Sequence, residues 1–325
     1  DVIFKFIPES ESLINAFKAR EVDVIQPDPN TEIIETLQAL EPEGARVEVL
    51  SGPVWEHTNF QFGDGRFDLN ENSCNENLAM RQAVLFATNK QLLVDEILAG
   101  QVEPLDSYVD AFSPALSQES WAQYAFDPAR AAELYAQAVE ETGKDCSVVF
   151  STTSNNDARV KISELFVDMF AAAGIPYENQ MQDSQPFFGE TLDNGLWDFG
   201  EWAWVGSPGL SGLIGIHDVW DPEAPPPDGA NYYRYGVAAE GATADAASAR
   251  YAEVRDLMNQ TVDPKELADL IHEEENILAD NAIMDPLYAR LVTAAVWEDT
   301  IGGFKHNPTQ AGHTWNIEEW YRADA

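Results

Sequence analysis

The spacing of apolar positions changes period several times along the chain, and each change predicts an element. Residues 2–7 alternate with the two-residue period of a strand, whereas Leu13, Ile14 and Phe17 within 9–20 follow a helical period. Val22 to Ile25 predicts a second strand, stopped by Pro27 and Pro29, and Ile33, Ile34, Leu37 and Leu40 predict a helix over 31–40. Residues 47–50 and 55–62 read as two strands divided by Ser51-Gly52-Pro53. Strand and helix alternating in this way specify an α/β protein.

Beyond a polar stretch over 63–77, helical periodicity resumes over 78–88 and 90–98 and ends at Gly100. Residues 102–124 are irregular and aromatic, with Tyr108, Phe112, Trp121 and Tyr124. Asp127-Pro128 opens a helix with a capping carboxylate and a first-turn proline. A strand over 146–150, a helix over 157–173 ended by Gly174 and a strand over 175–181 follow. Residues 246–259 and 263–280 form a helical pair, and the apolar runs 283–289 and 291–297 are strands. Pro225-Pro226-Pro227 marks a loop, and no internal repeat is evident.

The stretch over 196–235 draws the most attention. Trp197, Phe199 and Val205 share one strand parity, and Gly206-Ser207-Pro208-Gly209 then breaks the strand. A strand ending in such a loop beside Trp202 and Trp204 makes a wall for a flat, amphipathic molecule. The competing role for both tryptophans is burial in a large core.

Composition narrows the partners. The chain has 325 residues with 57 acidic against 18 basic side chains, a net charge of −39, and 45% of its residues are hydrophobic. That apolar share excludes a disordered chain, and the charge repels nucleic acid and anionic lipid. Carboxylate-rich, lysine-poor surfaces suit a salty medium, and equally an ordinary acidic protein. Cys74 and Cys146 allow one disulfide or two buried thiols, and no four-cysteine zinc site. No apolar run approaches the length of a membrane span.

Motifs for chemistry are lacking. There is no GxGxxG, P-loop or GxSxG sequence. His272-Glu273-Glu274-Glu275-Asn276 departs from a zinc-protease helix at its fifth position and reads as a solvated face. Asp68, Asn70 and Asn72 have the alternate spacing of a calcium loop, but Ser73 and Ala79 stand where glycine and glutamate are needed. The five histidines are scattered. No metal or cofactor is therefore expected. Aromatic walls with a few polar atoms favour binding over catalysis, and Trp202, Trp204, Ser207, Tyr108, Asn59 and Tyr232 are the expected ligand contacts.

Several stretches, in order, resemble the family 5 extracellular solute-binding proteins that serve ABC importers of peptides and related solutes. They are Ile14-Asn15-Ala16-Phe17 with Glu21-Val22-Asp23-Val24, Trp55 to Phe60, Met80-Arg81-Gln82-Ala83-Val84 with Asn89-Lys90, and Ala203 to Pro208. Asn231-Tyr232, Pro286-Leu287-Tyr288 and Gly312 to Asn316 complete the set. The resemblance implies a type II, cluster C periplasmic-binding-protein-like α/β fold with two lobes, here one partial lobe and one nearly complete lobe. Residues 1–60 and 297–325 would belong to the first lobe, 61–296 to the second, with a hinge near 60 and 297. It implies that a preceding N-terminal part is missing, that the protein is a monomer outside the cell (a cell-surface lipoprotein or periplasmic), and that its partners are a small solute and a membrane permease. Peptide-binding members often place an aspartate three residues after the tryptophan equivalent to Trp202, to pair with the peptide ammonium; here Val205 stands there. This leaves a peptide and an oligosaccharide both open, with a secreted carbohydrate-active enzyme or an acidic scaffold as the alternatives. By default Arg81 and Asn59 are structural, with Asn59 a candidate hydrogen-bonder at the hinge.

Overall fold

The computed structural model describes residues 2–62, 69–111, 113, 117–206, 216–237, 245–309 and 311–323. Side-chain caps set most helix starts. Asn30 accepts from the backbone N–H of Ile33 before α2 (Thr31–Gln38), Asn77 from Met80 before α3 (Leu78–Ala87), and Asn89 from Leu92 before α4 (Lys90–Leu98). Asp127 and Asn156 do the same for α5 (Pro128–Thr142) and α6 (Asp157–Ala173). Each such cap contributes about 1 kcal/mol. Helix α1 (Ser10–Lys18) has no side-chain cap and is held by Ile14 and Phe17, which are buried. The expected helical pair is present as Ala246–Gln260 and Pro264–Asp280, each opened by an aspartate cap.

One six-stranded sheet organises these helices, in the order β1-β6-β2-β5-β3-β4. Its strands are β1 (Val24–Ile25), β2 (Ala45–Phe60), β3 (Val148–Ser151), β4 (Tyr177–Asn179), β5 (Phe199–Val205) and β6 (Met284–Trp297). Strands β2 and β6 run antiparallel from Ala45 opposite Trp297 to Asn59 opposite Met284. Strand β5 is antiparallel to β2 and parallel to β3, and β3 is parallel to β4. The chain is thus a mixed α/β protein, as its patterning specified.

Three expectations need correction. The two strands expected over 47–50 and 55–62 are one, as are those expected over 283–289 and 291–297. Ser51-Gly52-Pro53 does not end the strand: the register shifts between Ser51 and Trp55, and a bulge absorbs a proline that has no N–H to give. Residues 2–7 form no strand. Alternation alone does not make one, because a strand needs a neighbour to take up its N–H and C=O groups; Ile3 and Phe6 lie exposed.

Two hydrophobic cores share β2 and β6. The smaller packs Ile14, Phe17, Ile33, Leu37 and Leu40 against Ala45, Ala295 and Trp297. The larger holds Trp55 and Phe60 of β2, Met284, Leu287 and Ala289 of β6, and helices α3 to α6. The register shift at Ser51–Trp55 lies beside the larger core, which also takes in Ile34 and Leu291 and has Val49 packed against it. Cys74 and Cys146 form a disulfide that pins the segment before α3 to the start of β3. Beside it the carboxylate of Asp198, wholly buried, accepts from the Asn70 amide (2.7 Å), the Asn75 amide (2.9 Å) and the backbone N–H of Val149 (3.0 Å). Asn70, one of the calcium-spaced residues, is thus a brace; Asp68 lies outside the described residues.

Candidate functional site

Parallel strands β3, β4 and β5 all finish at the end of the sheet nearest the bulge in β2. Ligands of α/β proteins gather at the carboxyl ends of such strands, where loops and helix starts leave polar groups free. The end of β5 is fixed there by the Gly206 N–H donating to Pro53 C=O at 2.7 Å. The two faces of the sheet meet this mouth with different chemistry, because Trp55, His57 and Asn59 of β2 point one way and Glu56 and Thr58 the other.

On the Glu56 face, four charged side chains from four elements interlock. Arg290 of β6 donates to Glu56 Oε1 through Nε (2.6 Å) and Nη2. Arg159, in the first turn of α6, donates through Nη2 to Glu56 Oε2 (3.3 Å) and through Nη1 to Thr153 Oγ1 (3.0 Å). Its Nε lies 3.5 Å from Glu201 Oε2 of β5, which also accepts from the Thr152 hydroxyl at 2.7 Å. Glu201 and Glu56 are themselves within hydrogen-bond reach. Two carboxylates so close cannot both stay charged in a dry site. Burial and the neighbouring Glu56 charge push Glu201 well above the usual range, against the opposing pull of Arg159. Burial would raise Glu56 too, but the hydrogen bond from Glu201 and the two guanidiniums outweigh it and hold Glu56 down at about 2. Glu201 therefore keeps the shared proton. The side chains of Glu56, Glu201 and Arg159 are 1%, 0% and 6% exposed, but Arg290 is 38% exposed and looks out at the mouth, as does the exposed ring of Phe188.

The opposite face is aromatic. Tyr233 lies flat between Trp202 (ring centres 5.4 Å apart) and Trp220 (5.8 Å). From Trp220 the contacts run to Tyr108 (5.5 Å), Trp55 (5.5 Å), His57 (4.6 Å) and back to Trp202 (5.5 Å), closing a ring of six side chains. The Asn59 amide donates to His57 Nδ1, so the imidazole proton sits on Nε2. Burial lowers His57 to about 3, against the attraction of Glu56, and the ring stays neutral. At the rim, Trp204 stacks on Tyr232 (6.2 Å, 27°) and its Nε1 donates to Tyr233 Oη at 2.6 Å.

The expected ligand residues are therefore divided. Trp202, Tyr108 and Asn59 are interior and present no surface at the mouth, whereas Trp204 and Tyr232 are half-buried and do. Ser207, like Phe112, lies outside the described residues. Val205 is exposed beside Trp204, where its isopropyl group offers no charge to a cation. Sequence reasoning passed over Glu56, Arg159, Glu201 and Arg290. The signal for Glu56, Glu201 and Arg290 was a charge set among apolar strand residues, as in Leu287-Tyr288-Ala289-Arg290-Leu291-Val292, whereas Arg159 stands in the first turn of a helix. A separate cavity of about 290 Å³, lined among others by Phe62, Arg81, Arg234 and Tyr235, contains none of the expected residues. Among the described residues no cluster of three or more metal-binding side chains occurs, and no helix is long and apolar enough to cross a membrane.

This architecture matches solved proteins. The ABC transporter substrate-binding protein CtaP from Listeria monocytogenes superposes with a TM-score of 0.77 at 15% identity, over 99% of this chain and 60% of that one. NikA from Brucella suis, solved with Fe(III)-EDTA, gives 0.73 at 16% identity over 97% and 60%. The oligopeptide-binding protein AppA from Bacillus subtilis, solved with a nonapeptide, gives 0.71 at 17% over 98% and 59%. The chain thus has the type II periplasmic-binding-protein-like fold and spans about three fifths of the length of these proteins. Comparison with curated protein sequences finds no match. The model of the bacterial extracellular solute-binding proteins, family 5 (middle) matches residues 1–211, well over half of the sequence, and the chain belongs to that family.

Proposed function

We propose that the protein is the solute-capturing component of an ABC importer, working outside the membrane and handing a small solute to a permease. Capture proceeds by closure of two lobes and involves no bond making or breaking. The observation that carries this reading is the placing of the mouth: it lies where β2 and β6, which contribute to both cores, change register. A bend there would widen or narrow the mouth. We therefore set the hinge at Ser51–Trp55 and the facing Ala289–Leu291 rather than at 60 and 297, since Phe60 and Trp297 are buried inside the two cores. On this division the first lobe is completed by residues up to about 51 and from about 291 onward.

A peptide and an oligosaccharide are both compatible with the rim. The stacked, half-buried pair Trp204–Tyr232 suits a flat face of either kind. Val205 favours a solute that brings no ammonium group to that position, because an unpaired cation at a half-buried site is costly. Native mass spectrometry of the gently purified protein tests the proposal: a co-captured small molecule at one-to-one stoichiometry is expected. Incubation with an oligosaccharide panel should give thermal stabilisation with no products. Product release, or no stabilisation and no captured mass, would count against capture.

A further inference from the structure

We propose that Arg290 anchors a carboxylate of the captured solute. The inference deepens the solute-capture reading and rests on it. It begins with the charge of the cluster. Because Glu56 and Glu201 share one proton, two guanidiniums face a single carboxylate charge. One positive charge is left over, in a chain whose net charge is −39.

That surplus is not spread evenly. Arg159 is spent on Thr153, Glu56 and Glu201, and its side chain is only 6% exposed. Arg290 has one acidic partner among the described residues, Glu56, and meets it through Nε and Nη2 on a single oxygen. Its Nη1 has no acidic partner among the described residues, on a side chain 38% exposed. A guanidinium held along one edge by a buried carboxylate is pre-oriented, and its outer edge presents N–H groups in the fork that matches a carboxylate. Ala289 pairs with Trp55, which pairs with Trp204, so Arg290 projects to the Glu56 face and Trp204 to the other; the anchor serves a solute lying on the Glu56 face, the face of exposed Val205.

Calorimetric titration tests this with four probes: trialanine, its C-terminal amide, N-acetyl-trialanine and maltotriose. Trialanine and N-acetyl-trialanine should bind about equally and at least about tenfold tighter than the amide. Arg290→Gln should lower the affinity of both acids roughly 10–100-fold, as loss of a charged hydrogen-bonding partner does, and leave the amide unchanged. Arg290→Lys should restore part of the difference. Because Glu56 keeps Arg159, Arg290→Gln is expected to fold, and its thermal unfolding curve checks this. Equal binding of acid and amide, preference surviving in Arg290→Gln, binding of maltotriose alone, or silence from every probe would each overturn the anchor. Solute capture itself is judged separately by the co-captured mass, and stands if a neutral molecule is found there.

Discussion

On one face of the sheet Glu56, Glu201 and Arg159 leave water as an interlocked set of charges; on the other, Trp202, Tyr233, Trp220, Tyr108, Trp55 and His57 leave it as stacked rings. Strand β2 supplies both, residue by alternate residue. The ionic face pairs its charges with one another, although Arg159 Nε and Glu201 Oε1 find no hydrogen-bond partner among the described residues, and it has little apolar area to offer. The aromatic face also leaves polar atoms unpaired, since Trp55 Nε1, Trp220 Nε1 and His57 Nε2 find no hydrogen-bond partner among the described residues, but it buries large apolar rings. Each unsatisfied N–H costs about 1–3 kcal/mol. An indole that buries about 200 Å² recovers about 5 kcal/mol, which offsets the cost. The ionic face has no such reserve, so its stability depends on every partner being present and in the right protonation state.

Substitutions break the comparison in a predictable order. Trp202→Ala should cost about 4 kcal/mol, since it removes a buried member of the aromatic ring and leaves a cavity, and equilibrium urea unfolding would measure it. Glu56→Ala should cost about 3 kcal/mol by leaving Arg159 buried without its main counter-charge. Unlike the tryptophan loss, this should be partly recovered by also replacing Arg159 with methionine. Thr152→Val removes one hydroxyl from Glu201 and should cost about 1 kcal/mol.

Acid should separate the faces further. His57 is lowered from 6.5 to about 3, so the unfolded chain binds the extra proton and stability falls as pH drops through that window. Glu56 is lowered from 4.5 to about 2, and its contribution is lost between those values as pH falls. His57→Gln should therefore flatten the acid limb from pH 6.5 downward, and Glu56→Gln only its part below pH 4.5. Elsewhere, Glu275, in a helical stretch expected to be solvated, is buried; burial raises it to about 8 although the Ser107 hydroxyl donates to it, so its contribution is present below pH 4.5 and lost as pH rises toward 8. Glu275→Gln should flatten the alkaline limb in thermal melts.

Helices were legible in the sequence because their determinants are local. Asp127-Pro128 and Asp263-Pro264 announce their helices within two residues, and both are seen at those positions. The site was not, because its partners are distant: Glu56 meets Arg159 across 103 residues and Arg290 across 234. Parity could not separate Trp202 from Trp204, which lie on the same face; one sits under Tyr233, and the other lies two residues nearer the strand end. The short strand expected over 2–7 failed for the same reason, since alternation says which side faces a neighbour but not that a neighbour exists.

The passage of β2 and β6 through both cores has a mechanical consequence. The main chain crosses twice, in opposite directions, and the two crossings are bonded to each other on both sides of the bulge. Such a ribbon flexes easily out of its plane and resists sliding within it, because sliding would stretch the inter-strand bonds. On the proposed solute-capture reading, the direction in which cargo enters would be dictated by the backbone, leaving the side chains to decide only what is kept.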